Sequence, residues 1–554
     1  MVLKCNQMKK IILTATLTVY VAFTYAQSPP IKTAKNSTSA KPGSAAYTSP
    51  LTGIFYAPSG IGIVLQNNGK SDLTIPPKKE NGKTVIVSDF NFPTPLANGS
   101  KFKITAKNIT AGQTIYMYPG ANGTMPQDVK TQIASDYTYD LVTRSSNDAK
   151  FSTFYESGNA AVGGKPGEEG RYIAYVSAAA NFSNGSGKHR QIFWRDRNTG
   201  TTKLISAAST GEEGNGECYA PSISGDGKSV AFESHSTNLT PDDKNGVKDI
   251  FIWHSATNKI ERVSMGRDGK DANAESYEPS VSSDGNFIAF TSTASNISDT
   301  EKGTSNNNVF LRNMVLNTTI MISIDPTSKK GGGGSNASIA YDGKRIAFYS
   351  QTSTLVSDDK NGLWDIFLWD QNNPHLKRIS LTADGKERNQ GEESVNRIVA
   401  PSISGNGRYI AFTTTASNMV PGDDKNFQDV FIYDTETNAT IIASATTDGK
   451  FGNADSPIGQ GEKVAISYAG NYVAYSTKAT NLGVPASNIV MYDVVAKKAM
   501  PVSTVAGSSV GMAVMSYSGS YVVFGIGGKL DSRFSSSGIF ANYTGVGLCR
   551  FCPQ

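Results

Sequence analysis

The chain is poor in the residues that build cross-linked, metal-rich or membrane-spanning proteins. Its 554 residues include four cysteines and four histidines. So few cysteines exclude a disulfide-dense scaffold, and the histidines are too scattered to pair with them as zinc ligands. Beyond the first 26 residues no apolar run is long enough to cross a bilayer. The sequence therefore predicts no transmembrane segment in the mature protein.

The chain also lacks the charge excess of a nucleic-acid-binding protein. The formal net charge is +5, but Lys4, Lys9 and Lys10 lie in the first 26 residues, and removing them leaves +2. A basic patch is the usual electrostatic signature of nucleic-acid binding. We therefore expect no nucleic-acid partner.

The first 26 residues have the layout of a signal peptide. Lys9 and Lys10 precede an apolar run from Ile11 to Phe23, and Ala26 offers a small residue for cleavage. The alternative, a retained membrane anchor, is less favoured because the run is short for a bilayer. The pattern predicts a secreted or periplasmic protein, in which residues 27–47, rich in Ser, Thr, Pro and Lys, form a flexible linker.

What the sequence has instead is a repeat. The copy from Tyr219 to Ser264 contains four short apolar or alternating runs separated by turn residues, which is typical of four antiparallel strands. Asp226-Gly227 predicts a type I′ hairpin turn between the first two. The second-strand motif recurs about every 58 residues, which favours propeller blades over a solenoid or separate sandwiches. Its copies are Ala174-Tyr175, Ala231-Phe232, Ala289-Phe290, Ala347-Phe348, Ala411-Phe412, Ala474-Tyr475 and Val523-Phe524.

The ends of the repeat predict a closed ring. The last unit stops after its third strand, Ile539 to Tyr543, whereas Asp140 to Ser145 matches the fourth-strand pattern. We expect this N-terminal strand to complete the last blade, which would leave no long sheet edge exposed. The predicted fold is all-β, a seven-bladed β-propeller over residues 138–545 with a tail at 546–554.

The repeated motifs resemble those of TolB-like, WD-repeat-like bacterial propellers. They are Pro221-Ser222-Ile223-Ser224, Asp226-Gly227, Ile288-Ala289-Phe290 and Asp249-Ile250-Phe251. The resemblance implies an exported propeller that binds or scaffolds. TolB itself has an N-terminal α/β domain and six blades. The sequence predicts neither here, which argues against a role in a Tol–Pal system.

Residues 48–134 have a different pattern and predict a small β-sandwich-like domain. Short strands are expected near Ile61 to Gln66, Thr84 to Val87, Lys101 to Thr105 and Thr114 to Tyr118. The segment resembles a small immunoglobulin-like module of bacterial surface proteins. That resemblance rests on Val64-Leu65-Gln66-Asn67-Asn68-Gly69, Pro95-Leu96-Ala97-Asn98-Gly99-Ser100 and Gly112-Gln113-Thr114, and it implies a spacer or adhesion element. The alternative is that these strands extend the propeller.

Blade geometry places any ligand site among the long loops. The Asp-Gly hairpins share one face, and the loops between blades share the other with the loops joining strands two and three. A protein or glycan partner is expected there. The alternative, which repetition in consecutive blades favours, is that these side chains are structural. The ligand-binding candidates are Asn215, Glu217, Tyr219, Asn273, Glu275, Tyr277 and Asp455.

The long loops also repeat an acid, an amide and a later acid, a pattern compatible with calcium. The EF-hand spacing is absent, and the competing interpretation is that these side chains cap their own turns. Calcium is the only cofactor that the sequence suggests. Its candidate ligands are Asp243, Asn245, Asp249, Asp359, Asn361, Asp365, Asp424, Asn426 and Asp429.

Nucleophilic catalysis has little support in the sequence. The histidines are unrepeated, and no Gly-x-Ser-x-Gly elbow is evident at a strand-to-helix turn. Cys218 stands alone in an interblade loop, and Cys549 and Cys552 are candidates for a local disulfide in an oxidising compartment. The sequence favours a non-catalytic, exported, protein- or glycan-binding scaffold. The alternative is a propeller-fold polysaccharide lyase or glycoside hydrolase.

Overall fold

The structure, a computed structural model, divides into two compact units, residues 1–136 with 552–554 and residues 137–551. In the second unit it describes residues 159–527, without 167, 179–187, 304, 306, 391–399, 458–462 and 504–508, and the strands at 139–141 and 538–543. In the first unit it describes only strands between residues 18 and 124. No helix among the described residues has the length and apolarity needed to cross a membrane. The predicted linker, C-terminal tail and terminal cysteine pair lie outside the described residues.

The described part of the first unit is all β. Thr52–Ala57 pairs with Val85–Asn91 and with Thr18–Ala22, which also pairs in parallel with Thr114–Met117. A second four-stranded sheet and a two-stranded sheet complete it. The remaining strands are Thr48–Ser49, Ile63–Asn67, Lys70–Ile75, Leu96–Ala97, Lys101–Lys107 and Asn122–Thr124. The immunoglobulin-like resemblance and the signal peptide, of which only Thr18–Ala22 is described, stay predictions.

The second unit is an all-β propeller. Six blades are each built from four consecutive antiparallel strands, the first strand innermost and the fourth at the outer edge. The strand bounds of blades 1 to 3 are Ala160–Gly163, Tyr172–Ser177, Gln191–Asp196 and Thr201–Leu204; Cys218–Ile223, Ser229–Ser234, Asp249–His254 and Lys259–Arg262; and Ser276–Val281, Phe287–Ser292, Asn308–Asn313 and Thr318–Met321. Those of blades 4 to 6 are Ser335–Ile339, Arg345–Ser350, Asp365–Asp370 and Asn373–Arg378; Ser402–Ile403, Tyr409–Thr414, Asp429–Asp434 and Thr440–Ile442; and Ala465–Ile466, Tyr472–Thr477, Asn488–Asp493 and Lys498–Pro501.

The predicted count of seven like-built blades is corrected to six. The last repeat supplies only three strands, so it cannot form a blade of consecutive strands as the others do. It forms a composite sheet in the order Tyr139–Leu141, Gly538–Tyr543, Tyr521–Gly527 and Ser509–Met515. The predicted pairing of the N-terminal strand with the last strand is therefore present, with Leu141 opposite Phe540.

Alternation along the strands explains why the Ala-Phe motif repeats. Successive residues of a strand point to opposite faces of its sheet, so Phe232 packs toward blade 1 while Ala231 packs toward blade 3. There Ala231 meets Phe290, the aromatic residue of the next motif, and both are fully buried. A small residue facing a large one lets twisted sheets pack closely. Each blade thus covers the apolar face of the next.

The Pro-Ser-Ile-Ser motif connects blades and closes turns. Its first serine accepts a hydrogen bond from the next blade, as Ser222 Oγ does from Val281 N at 3.1 Å. Its second serine, Ser224, donates to Asp226 at 2.7 Å and caps the hairpin. Of the two turn residues only Gly227 has a positive φ, 74°. The predicted type I′ turn is therefore wrong, because that type needs positive φ at both central residues.

The composite sheet contacts the blades at both ends of the run. Its residues Met515 and Phe524 belong to the core of blade 6, and Val523 packs against Ile173 of blade 1. The Glu169 carboxylate of blade 1 accepts hydrogen bonds from the amide of Ser518 at 3.0 Å and from neighbouring serine hydroxyls of the composite sheet. Side-chain packing and a charged hydrogen-bond acceptor therefore link the first repeat to the last.

Tyrosines crowd the inner end of the hairpin face. The rings of Tyr468 and Tyr517 stack at 4.2 Å between centroids, and Tyr341 lies 5.4 and 5.8 Å from them. Burial raises the pKa of the Tyr341 phenol and that of the Tyr517 phenol, the latter to about 12. Tyr341 and Tyr517 therefore stay neutral at physiological pH, and the three rings pack against one another on the hairpin face.

Candidate binding site at the channel mouth

The predicted asparagines fasten the long loops together. Asn215 Nδ2 donates to Thr237 Oγ1 at 3.0 Å, and Asn215 Oδ1 accepts from the Thr237 amide at 2.9 Å. Asn273 makes the same pair of contacts with Ser295. Asn389 and Asn453 repeat the arrangement in later blades. Since both polar ends of each amide are engaged, these asparagines position loops.

Two of the predicted acids have a similar local role. Glu217 accepts a hydrogen bond from Arg190 N at 3.0 Å, and Asp455 accepts one from Gln428 N at 3.1 Å. Arg190 and Gln428 each precede the third strand of a blade, so the acid of the following interblade loop caps that strand. Glu275 occupies the corresponding place in its loop and is exposed. The carboxylates of Glu217 and Asp455 therefore hold adjoining blades together.

The two predicted tyrosines lie beneath cationic side chains. The Arg190 guanidinium is 5.7 Å from the ring centre of Tyr219, and the Lys248 ammonium is 5.2 Å from that of Tyr277. Cation–π contacts of this length are attractive. We call Arg190, Glu217, Tyr219, Lys248 and Tyr277 the channel mouth. It lies where blades 1, 2 and 3 meet on the long-loop face.

Deeper in the channel, charged side chains link blade 2 to blade 3 and blade 3 to blade 4. Glu233 binds the Lys248 ammonium at 3.2 Å and accepts from Glu278 N at 2.9 Å. Glu278 in turn accepts from Asn336 N at 2.8 Å, and burial raises the pKa of its carboxyl. Near these acids, desolvation lowers the pKa of the Lys463 ammonium, against the attraction of Glu278 and Glu233. The sequence did not single out Glu233, Glu278 or Lys463 because they do not repeat.

Arginine, which the sequence reasoning missed, dominates two of the three predicted calcium loops. Arg262 is 1% exposed and lies 3.4 Å from Asp243, 3.7 Å from Asp249 and 2.6 Å from Asp271. Arg378 lies 3.0 Å from Asp359, 3.5 Å from Asp365 and 3.0 Å from Glu387. A guanidinium thus occupies the centre of each cluster. The predicted amides remain peripheral, Asn245 donating to Asp249 and Asn361 capping the Leu363 amide.

The third predicted calcium loop, in blade 5, is aligned one residue differently from the prediction. The Asp423 amide donates a hydrogen bond to Val420 O at 3.3 Å, just as the Asp243 amide of blade 2 donates to Thr240 O at 3.3 Å. Both aspartates are buried, so Asp423 is the equivalent of Asp243. Asp424 and Asn426 are exposed, and Asp429 is buried. Gly422 follows the proline in blade 5 where Asp242 follows it in blade 2, so the buried aspartate is the first of the Asp423-Asp424 pair and not the second. Among the described residues no group of three or more His, Cys, Asp or Glu side chains is arranged to hold a metal ion.

One histidine has a triad-like neighbourhood. His254 Nδ1 lies 2.9 Å from Ser229 Oγ, and its Nε2 lies 4.0 Å from Glu261. Ser229 is 7% exposed and its hydroxyl lies against Gly285 of the next blade. A nucleophile needs space for a substrate carbonyl, which this packing denies. The other isolated reactive group, the thiol of Cys218, is buried and its pKa is raised to about 11.

No family model matches the chain, and no match is found among curated proteins. The similar solved structures include TolB from Acinetobacter baumannii, 20% identical over 51% of this chain and 53% of that one, with a TM-score of 0.31. An oligogalacturonate lyase from Vibrio parahaemolyticus is 9% identical over 74% and 96%, with a TM-score of 0.43. A Pyrococcus horikoshii acylaminoacyl peptidase is 12% identical over 71% and 52%, with a TM-score of 0.40. This chain spans about half the length of the TolB structure, and these distant likenesses carry no argument about function.

Proposed function

We propose that this protein is an exported, non-catalytic binding platform that receives a protein or glycan partner at the channel mouth. The observation that carries the proposal is the pairing of cationic side chains with aromatic rings where blades 1 to 3 meet. Blades 1 to 3 present Arg190 over Tyr219 and Lys248 over Tyr277. Aromatic rings with a polar rim are typical of recognition surfaces for partners of either kind.

The proposal also rests on how the carboxylates are used. Glu217 caps the strand that begins after Arg190, and Glu233 is shared between Lys248 and the Glu278 amide. A general acid and base need two carboxyl groups in contrasting environments with access to the substrate. Acids that tie blades together are poorly suited to that role. In the proposed arrangement the composite sheet joins blade 6 to blade 1 and so supports the ring that displays the mouth.

One observation favours an enzymatic alternative. His189 Nδ1 lies 3.5 Å from Glu217, and both side chains are about one-third exposed. A histidine and a carboxylate beside an arginine form a set that is able to remove a proton next to a uronate carboxylate. A polysaccharide lyase is therefore the second candidate function.

The test is to measure binding and turnover on a panel of neutral and acidic polysaccharides and of envelope proteins. Replacing Lys248→Ala or Tyr277→Ala removes one mouth pair, and Lys228→Ala on the hairpin face is the matched control. We expect at least a tenfold loss of affinity for the mouth variants, about 1.4 kcal/mol, and little change for the control. An equal loss of affinity in the mouth variants and in Lys228→Ala would contradict the proposal.

Turnover distinguishes the two candidates. A binding platform leaves every polysaccharide intact, whereas a lyase produces an unsaturated uronate that absorbs ultraviolet light. Product formation that disappears in His189→Ala and Glu217→Gln, with folding unchanged by circular dichroism, would establish the enzymatic alternative in place of the platform.

A further inference from the structure

We propose that blade 5 binds a hard divalent cation, calcium, between Asp423 and Asp429, at the position that blades 2 and 4 fill with their own arginine. The inference does not depend on the proposed function. It comes from comparing one loop in three blades of the same chain.

The three loops are equivalent in their fixed parts. In each, an aspartate at the start of the third strand accepts a hydrogen bond from a serine of the fourth-strand end, as Asp429 does from Ser444 at 2.5 Å. Asp249 with Ser264 and Asp365 with Ser380 repeat this contact. A second aspartate, Asp423 in blade 5, lies six positions earlier in the sequence of each loop and is buried. The carboxylate pair is thus common to all three blades.

The partner of that pair is missing only in blade 5. Arg378 stands two residues before Ser380, and Ile442 stands two residues before Ser444. Glu387, the outer acid that binds Arg378 at 3.0 Å, stands two residues before Asn389, and Phe451 stands two before Asn453. Arginine and its outer acid have therefore been replaced together, whereas the inner aspartate pair has been kept.

The retained pair is left without a buried counter-charge. Asp423 is 6% exposed, and its Oδ2 has no hydrogen-bond partner among the described residues. Within that same part of the chain no ion pair involves Asp423 or Asp429, whereas Arg378 lies 3.0 and 3.5 Å from the corresponding acids of blade 4. A buried charge without a partner is strongly destabilising. The nearest basic residue along the chain, Lys425, is exposed, and although its charge lowers the pKa of Asp429, burial outweighs it.

Burial raises the pKa of Asp423 to about 6 and that of Asp429 to about 7, which measures the cost of keeping both ionised. A divalent cation removes that cost and suits carboxylate oxygen. Calcium accepts six to eight oxygen ligands, including main-chain carbonyls and water. Two carboxylates with such neutral ligands meet its requirements. Ile442 and Phe451, which stand where blade 4 has Arg378 and Glu387, are half-buried, and we expect water to complete the shell.

The first experiment follows thermal unfolding of the full chain in calcium chloride and in EGTA. At a hundredfold excess of calcium over its dissociation constant we expect the Tm to rise by about 3 °C, for a cooperative unit of roughly 400 residues. Equilibrium dialysis on the same protein should find one calcium ion per chain that Asp423→Asn abolishes. No calcium-dependent shift, or binding that survives Asp423→Asn, would overturn the proposal.

The decisive variant rebuilds the arginine. Ile442→Arg with Phe451→Glu copies blade 4 into blade 5, and should keep the Tm of the calcium-loaded protein while losing the response to calcium. The reciprocal change is made in blade 2, because Arg388 in blade 4 would still neutralise Asp365 at 3.2 Å. There Arg262→Ile with Asp271→Phe should create a second calcium-dependent step. If mild acid raises the Tm of the unaltered protein and calcium does not, protons neutralise the pair and the cation proposal is refuted.

Discussion

Removing the guanidinium from blade 2 should cost the propeller more stability than almost any other single polar substitution. Arg262 is 1% exposed and is within 4.0 Å of Asp242, Asp243, Asp249 and Asp271. Truncating one partner of a buried ion pair typically costs about 3–5 kcal/mol, because the remaining charge stays buried and unpaired. With several carboxylates left behind, we expect Arg262→Met to fall at the upper end of that range.

The assay is urea-induced unfolding followed by tryptophan fluorescence, with Arg267→Met as the matched control. Arg267 lies 3.5 Å from Asp299, but its side chain is 62% exposed and that of Asp299 is 97% exposed. Exposed pairs contribute about 0–1 kcal/mol. The control should therefore leave the midpoint nearly unchanged. A loss below about 1 kcal/mol for Arg262→Met would refute the assignment of Arg262 as the buried counter-charge.

The destabilisation should also depend on pH in a definite direction. Burial and Asp249 raise the pKa of Asp243 to about 6 even with the arginine present. An acid whose pKa is higher in the folded than in the unfolded protein costs nothing below the unfolded pKa and its full amount above the folded pKa. Arg262→Met should therefore be less destabilising at pH 5 than at pH 8. A penalty independent of pH would mean that lost packing, not charge, is responsible.

Three further changes test how the blades are joined. Glu169→Gln removes the charge that accepts hydrogen bonds from the composite sheet. It should lower the free energy of unfolding by about 2–3 kcal/mol in calorimetry. The control is Glu168→Gln, which removes a half-exposed partner of Arg171 and should lower it by less than about 1 kcal/mol. Ser280→Ala leaves the Ile339 amide without its 3.1 Å acceptor in the preceding blade and should lower stability by about 1–3 kcal/mol in urea titration; an unchanged midpoint would mean that water replaces the hydroxyl. Phe290→Ala empties a fully buried site between blades 2 and 3 and should cost about 3–5 kcal/mol by the same titration, and a neutral result would contradict the packing described.

The sequence predicts the blades well because their periodicity follows from burial. The Ala-Phe motif, the alternating strands and the hairpin positions all repeat, since each blade solves the same packing problem. The pairing of Tyr139–Leu141 with Gly538–Tyr543 is also predictable, because the last repeat visibly lacks a strand. The type of hairpin turn was not predictable from the sequence. Of the two turn residues only Gly227 has a positive φ, and the Ser224 hydroxyl caps the turn by donating to Asp226.

The candidate site was harder to predict than the blades, because Glu233, Glu278 and Lys463 do not repeat and so gave no signal in the sequence. Asn215 repeats because it holds two loops together through hydrogen bonds to Thr237. Repetition by itself does not distinguish a ligand-binding residue from a residue that holds loops in place. Arg262 and Arg378 lie on fourth strands, far in sequence from the loop acids that they bind, and only the fold brings them together. The Asp-Asp-Lys-Asn segments of blades 2 and 5 match when Asp424 is paired with Asp243. The hydrogen bond from the Asp423 amide to Val420 O shows instead that Asp423 occupies the buried position.

The measurement that tests the channel mouth most directly is photocrosslinking. A benzophenone amino acid placed at Tyr277, or at Lys228 on the hairpin face, is irradiated in the presence of the polysaccharide panel and of envelope extract. The account predicts adducts from the Tyr277 position and none above background from Lys228. Adducts from Lys228 with none from Tyr277 would contradict it.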